Sequence, residues 1–580
     1  MASFLRHFRT VSVLTLASRV LGFVRDAALA HVLGAGQIMD AYSQAFQFPN
    51  LLRHLFGEGA LSAAFIPVFT DYLESGDRRA ANRFMSLMIA LLVTALAAVT
   101  LVVIGVLVAA RHFTEDLPKW HLIFGLAAVM FPFAVTICLV ALLQAALNCC
   151  RHFVMPALAP IVLNVFIIGG AVAAALAAAD EAITQAYLIA GTIVVAGVVE
   201  VLIQVPALGK KGLAMAWVWD LRHPGLRRVL RLMGPMVLAI GVIQINTFMD
   251  ATLANLFSPY EEGVETFRLA GREIAYPMKT GAASMLYYGQ RLYNFPLGVF
   301  AIALATVIFP ELSRLAHRGD TRGLGRVASH GLRLTIFVTV PAALGLMLVC
   351  EPLLRLWLEH GRFADNTEAV ARAAWVTRFY ALGIWAYSAN HILVRAFYAS
   401  EDTRTPLRVA VVAAVGNFGL NLVLLWPMAE RGLALATALS AFGQFAVLAL
   451  LVSRRVAHLD SGAILATTGR TVLATAAMAV AAAAGVYWAA PAVGLEGRAG
   501  AVMELVFGVG AGAGAFFAAA YLLRMQELKD LFARLPAETD EEPPAGAEES
   551  VNEPAEDGGP SDAAAEDDSA DRLDRDPPAR

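Results

Sequence analysis

The chain alternates long apolar runs with short polar stretches. The runs at 85–110, 122–147, 161–179, 332–349 and 466–490 approach or exceed the roughly 20 residues that carry a helix across a bilayer. The same pattern along the rest of the chain predicts about fourteen transmembrane helices. Their predicted positions are 11–32, 41–73, 84–110, 121–147, 156–178, 183–208, 229–257, 274–315, 331–349, 369–398, 407–426, 433–452, 467–490 and 501–523. The expected fold class is therefore all-α integral membrane. The first residues do not read as a cleaved signal, because Arg19, Arg25 and Asp26 interrupt the apolar stretch and no small-residue cleavage site precedes them.

Basic residues between the spans give an orientation. Arg6 and Arg9, Arg78, Arg79 and Arg83, Lys210 to Arg231, Arg318 to Arg326, Arg404 and Arg408, and Arg454 to Arg470 all fall on one side if the count of spans is right. The positive-inside rule makes that side cytoplasmic, with both termini inside. Trp217, Trp219, Trp357 and Trp375 fall near predicted membrane edges, where indole rings anchor.

A weak repeat runs through the chain. The second span holds F-P at 48–49 and F-I-P at 65–67; the eighth holds F-P at 295–296 and I-F-P at 308–310. The fifth and eleventh spans open at Pro156 and Pro406, each at the same offset from a preceding triplet. Two pseudo-symmetric six-helix halves plus a final helix pair fit this pattern, and paired Pro-interrupted helices in two halves suit an alternating-access carrier. The expected division is an N-lobe at 1–210, a C-lobe at 211–456, helices 13 and 14 at 457–535, and a disordered acidic cytoplasmic tail at 536–580.

Composition sharpens this. Only 16% of residues are charged, against about 25% in a soluble protein, so most of the surface has to face lipid. The tail at 536–580 holds sixteen acids against three arginines, a net −13, so the overall −3 leaves +10 on the membrane body. A basic body suits anionic lipid, and the Pro- and Ala-rich acidic tail lacks the apolar residues needed to fold. Cys138, Cys149, Cys150 and Cys350 include no C-x-x-C, so neither a disulfide nor a zinc site is expected. In the last span G-x-x-x-G occurs at 508/512 and 510/514, a pattern for close helix packing.

The placement of charge within the spans is the most informative feature. The first span carries S-R-V-L-G-F-V-R-D at 18–26. Entered near Val11, it places Arg19 about 12 Å deep and Arg25 about 21 Å deep. A mid-bilayer arginine costs roughly 2.5–3.5 kcal/mol on insertion scales, so Arg19, Arg25 and Asp26 should face a wet interior. Asp40, Arg53, His54 and Glu58 join them from the second span and Arg291 from the eighth. Either these groups close on each other as Arg25–Asp26, Arg19–Asp40 and Arg53–Glu58 pairs, or they line an anion-binding cavity. The four arginines outnumber the three acids, which favours the cavity. The fork of a guanidinium suits the oxygens of a pyrophosphate.

Those motifs resemble a known family. The stretch at 18–26, D-A-Y at 40–42, F-P-N-L-L-R at 48–53, G-E-G-A-L-S-A-A-F-I-P at 57–67 and Q-R-L-Y-N-F-P-L-G-V-F at 290–300 are similar to the MurJ/MviN lipid II flippases, of the multidrug/oligosaccharidyl-lipid/polysaccharide exporter superfamily. The resemblance implies two lobes around a V-shaped cavity, a lipid-tail groove in the last helix pair, and essential cavity arginines at Arg19, Arg25, Arg53 and Arg291, with Asp26, Asp40 and Glu58 as companions. It implies a bacterial inner-membrane protein acting on lipid II or a similar polyprenyl-pyrophosphate glycolipid, functional as a monomer, near cell-wall synthesis proteins, and binding no nucleic acid. One position departs from many members: Asn294 stands where they carry an acid.

A second polar set lies in the seventh, eleventh and twelfth spans: Asp250, Asn417, Asn421 and Thr437, with the carbonyl of Leu433. Hard oxygens of this kind suit a small cation, and the resemblance implies sodium there; the other reading is interhelical hydrogen-bond glue. No other cofactor is expected. Without a G-x-x-x-x-G-K-[ST] loop or an H-E-x-x-H, the energy for transport has to come from an ion gradient, the membrane potential or consumption of product. The expected function is flipping of lipid II, rather than catalysis. The alternatives are flipping of another polyprenyl-pyrophosphate oligosaccharide, drug export by the same superfamily, and a glycosyltransferase or polymerase. An arginine excess disfavours cationic drugs, and a transferase would need a sizeable outer loop with paired acids, which the sequence lacks.

Overall fold

The computed structural model describes the backbone of residues 2–532 except 180, 262, 270 and 496; side chains at 2–9, 57–60, 235, 238–240, 242–243, 269, 299, 489–490 and 532 lie outside the description. The acidic tail at 536–580 lies outside the described residues, and residues 1–529 form one compact unit. Its helices are α1 (Ala2–Leu33), α2 (Gln37–Leu52), α3 (Ser62–Glu74), α4 (Arg78–His112), α5 (Pro118–Met130), α6 (Phe133–Cys149), α7 (Val154–Ala177), α8 (Ala182–Lys210), α9 (Pro224–Leu256), α10 (Ala282–Pro296), α11 (Ile302–His317), α12 (Thr321–Leu358), α13 (Ala369–Leu382), α14 (Ile384–Ala399), α15 (Arg404–Met428), α16 (Glu430–Arg455), α17 (Ser461–Ala484), α18 (Ala490–Ala492), α19 (Gly497–Leu522) and α20 (Gln526–Phe532).

Among the described residues, α4, α7, α8, α12, α15, α16, the α17 stretch and α19 are each long and apolar enough to cross a membrane, and α5 with α6 makes a ninth such unit bent by 41°. This is a helical membrane protein. The other predicted spans coincide with α1, α2–α3, α9, α10–α11 and α13–α14. The eighth starts later than expected: Thr266–Leu269 and Arg272–Ala275 pair as an antiparallel hairpin, β1 and β2. Pro277 and Gly281 follow it, and α10 begins only after Gly281, which sits at φ 87°. A side chain is strained at that angle, so glycine marks the boundary.

The proline pairs of the repeat have a structural counterpart. Between Pro49 and Pro67 the helix passes through a π-helical stretch, Arg53–Leu61; between Pro296 and Pro310 it passes through another, Leu297–Ala301. Proline removes a backbone donor and crowds the preceding turn, and a wide turn absorbs the mismatch. Asp77, Asp320 and Asp460 open the long helices α4, α12 and α17, each accepting hydrogen bonds from the backbone N–H groups of the first turn.

The last pair packs as small residues allow. Gly508 and Gly512 of α19 lie against Val486, Ala482 and Met478 of the α17 stretch, whereas Gly510 and Gly514 face open space, so only one of the two G-x-x-x-G pairs is a packing seam. Arg333 of α12 holds Glu527 of α20 at 2.6 Å and Thr467 of α17 at 2.9 Å, fixing the pair to the body. Trp217, Trp219 and Trp375 are exposed, as interfacial anchors are. Trp357 is not: it is half-buried, meets Phe23 edge-on, and its Nε1 donates to the Phe23 carbonyl of α1 at 2.9 Å.

Candidate functional site

Three of the predicted cavity residues meet at one point. Arg25 and Asp26 leave α1 side by side, and Arg25 places Nε and Nη2 on Asp26 Oδ1 at 2.9 and 2.7 Å. Its Nη1 donates to Asn164 Oδ1 of α7 at 3.1 Å. Arg291 approaches from α10, with Nε 3.3 Å from Asp26 Oδ2. Asp26 is only 3% exposed, Arg25 12%, and Arg291 38%. One carboxylate thus serves two guanidiniums, and the trio carries a net positive charge in a half-buried setting.

Sequence reasoning missed two members of this node. Tyr287 donates its hydroxyl to Asp26 Oδ1 at 2.8 Å and accepts from Arg291 Nη2 at 3.1 Å, with its ring 4.7 Å beneath the guanidinium. It precedes Arg291 by four residues, so helical spacing puts both on one face; that spacing was the available signal. Asn164 also donates to the Ser18 carbonyl at 3.1 Å. As the lone amide in the apolar run 161–179, it could have been flagged as the only polar anchor there.

The other predicted residues stand elsewhere. Arg19 is exposed on α1 and lies against Gly298 in the second π-helical stretch, away from Asp40. Asp40 is fully buried. Its carboxylate accepts from Gly281 N at 2.9 Å, from Ser284 N at 2.6 Å and from the Ser284 hydroxyl, so it caps α10 from α2. Arg53 is half-buried, donating to Asn50 Oδ1 at 2.7 Å and lying 3.3 Å from His54 Nε2. The side chain of Glu58 lies outside the description, and Asn294 is exposed.

All five residues of the second polar set come together where α9, α15 and α16 meet. Asn421 Nδ2 reaches Asp250 Oδ1 at 2.5 Å and Asn417 Oδ1 at 3.1 Å. Thr437 Oγ1 lies 3.4 Å from Asp250 Oδ2 and donates to the Leu433 carbonyl at 3.0 Å. Asp250, Asn417, Asn421 and Thr437 are all buried, and Asn421 Oδ1 has no hydrogen-bond partner among the described residues.

Bonds between the two halves expected from the repeat gather mainly at one end. Apart from the linker that leads into α9 and the Arg228–Asp71 ion pair between the start of α9 and α3, those among the described residues cluster about the α1–α2 turn at Gly34. Arg362, in the turn after α12, donates to the Val32 carbonyl, Gln185 Oε1 and the Ala179 carbonyl at 3.0, 2.6 and 2.9 Å. Lys119 of α5 donates to Ser258 Oγ at 2.7 Å, and Gln44 of α2 bonds Thr252 and Asn255 of α9 at 3.2 and 3.4 Å. Along α1 the last of these bonds is at Phe23, about 16 Å from the turn.

The sequence profile described as lipid II flippase MurJ matches residues 29–493. A probable lipid II flippase MurJ of Vibrio cholerae is 34% identical over 76% of this chain and 81% of its own length; one of Rhizobium tropici is 33% identical over 76% and 79%. A solved lipid II flippase MurJ in an inward closed conformation shares the fold at a TM-score of 0.66 and 22% identity, covering 90% of this chain and 99% of that one. An inward-facing multidrug resistance MATE transporter shares it at 0.61 and 12%, covering 79% of this chain and 99% of that one. With that profile spanning most of its length and relatives of this identity, the chain belongs to the lipid II flippase MurJ family.

Proposed function

We propose that this chain moves lipid II from the inner to the outer leaflet of the bacterial cytoplasmic membrane by alternating access, with no covalent change to its cargo. The observation that carries this reading is the pairing of Arg25 and Arg291 with the single carboxylate of Asp26. Two guanidiniums against one acid leave positive charge unspent, and a diphosphate is the complementary ligand. The excess also disfavours cationic drugs as cargo.

In the proposed cycle the headgroup meets Arg291, the more exposed of the two. Arg25 is held in place by Asp26 and Asn164 and supplies the second fork from α1. Because α1 and α10 belong to different halves, a ligand that bridges them favours one relative placement of the halves and drives the exchange by its differential affinity. About fourteen spans, both termini in the cytoplasm and action as a monomer complete the proposal, which the basic inner loops support. Substituting Arg291→Ala or Arg25→Ala should stop precursor export while leaving membrane insertion unchanged. Normal export in both variants, measured by accessibility of the precursor at the outer face, would remove the basis of this reading.

The Asp250 set is proposed as a sodium site. Asn421 Oδ1 is buried without a partner among the described residues, on an amide whose Nδ2 reaches the oxygens of Asp250 and Asn417, and Thr437 close by bonds the Leu433 carbonyl. That oxygen-only donor set fits a small hard cation. Sodium, when bound, supplies a positive charge against Asp250; the residues themselves tie α9 to α15 and α16.

A further inference from the structure

Of the four close contacts to Asp26, the three hydrogen bonds all fall on one oxygen. Arg25 Nε, Arg25 Nη2 and the Tyr287 hydroxyl all converge on Oδ1, at 2.9, 2.7 and 2.8 Å. Oδ2 has only Arg291 Nε at 3.3 Å, in a geometry that makes no hydrogen bond, so that buried Nε is left without one. Among the described residues, the one hydrogen bond Arg291 makes is to the neutral phenol oxygen of Tyr287, through Nη2 at 3.1 Å. The Tyr287 ring also supports the guanidinium face at 4.7 Å. A free Arg–carboxylate pair prefers two parallel bonds at about 2.7–2.9 Å. Here the phenol occupies both partners and holds them short of that arrangement.

We infer that Tyr287 is a positioning residue that keeps Arg291 from closing onto Asp26 and so reserves the Arg291 guanidinium for an incoming diphosphate. This rests on the headgroup reading above and deepens it. A guanidinium locked bidentately on Asp26 would have to break that pair before taking a phosphate. One held by a phenol exchanges a neutral acceptor for a charged one, with the ring still beneath it. Tyr287 donates its only proton to Asp26, so its oxygen is left as an acceptor for Arg291, and the two hydrogen bonds reinforce each other. Because Asn294 supplies no acid on the next part of α10, Asp26 is, among the described residues, the carboxylate that could capture Arg291, and one phenol is enough to prevent it.

The test is binding of a long-chain polyprenyl diphosphate to the purified full-length chain in lipid nanodiscs, with the monophosphate as a second probe. Tyr287→Phe keeps the ring and loses both hydrogen bonds; its affinity for the diphosphate should fall about tenfold. The double variant Tyr287→Phe with Asp26→Asn removes the captor and should recover most of the loss, a rescue that a merely structural tyrosine would not show. Wild-type affinity in Tyr287→Phe, or a loss that Asp26→Asn does not relieve, overturns the inference. Arg291→Ala separates the two levels: if it loses diphosphate affinity while Tyr287→Phe does not, only the role of Tyr287 falls. If Arg291→Ala binds the diphosphate as the wild type does, the headgroup reading falls and this inference with it.

Discussion

At the scale of single residues, the acids of the spans divide into two kinds. Asp26 faces guanidiniums, whereas Asp40 faces backbone amides and a serine hydroxyl at the start of α10. Both are buried aspartates in the first two predicted spans, and only their neighbours in space tell them apart. Asp40→Ala should therefore act on stability: losing a helix cap costs about 0.5–2 kcal/mol, and a buried charge-assisted set belongs at the upper end. Thermal unfolding of the purified chain should show a lowered midpoint, while diphosphate affinity changes far less than in Arg291→Ala. A large affinity loss at unchanged stability would return Asp40 to the ligand site. The meeting of Arg25, Asp26 and Arg291 was legible in the sequence because intramembrane charge demands partners. The contributions of Tyr287 and Asn164 were not, since a tyrosine and an asparagine cost little enough in a span to draw no notice.

At the scale of elements, the apolar runs located the helices, and the prolines located their irregularities. What pattern reading could not see was the π-helical geometry between each proline pair, or the hairpin before α10, because both arise from local backbone fit rather than from hydrophobic period. The junction of α9, α15 and α16 was more transparent. Polar residues four apart in an apolar helix share a face, and Asn417 and Asn421 do turn that face toward Asp250. If sodium binds there, it links three helices and stabilises the folded chain by mass action, about 2.7 kcal/mol at a hundredfold excess over its dissociation constant. Replacing potassium with sodium should raise the unfolding midpoint of the wild type and leave Asp250→Asn unmoved. An equal midpoint in the two salts for the wild type would leave the cluster as interhelical glue.

At the scale of the whole molecule, most bonds between the proposed halves gather at the Gly34 end, the Arg228–Asp71 pair near the start of α9 apart, and along α1 they stop about 16 Å from the turn. Alternating access, as proposed, requires the bonds at the Gly34 end to part. Fastening them should arrest the cycle: Gln44→Cys with Asn255→Cys, in a chain lacking Cys149 and Cys150, should lose precursor export when bridged by a short thiol cross-linker and regain it on cleavage. Undiminished export in the bridged chain would show that this end does not open. The rim has a pharmacological corollary. With the termini inside, as proposed, the stitched end faces outward, and a blocker arriving from the medium finds Arg362, Lys119 and Asp40 already engaged with the opposite half. An antibiotic aimed at the arginine node would have to permeate the bilayer first, or else be built to wait at the rim for the brief interval in which it parts.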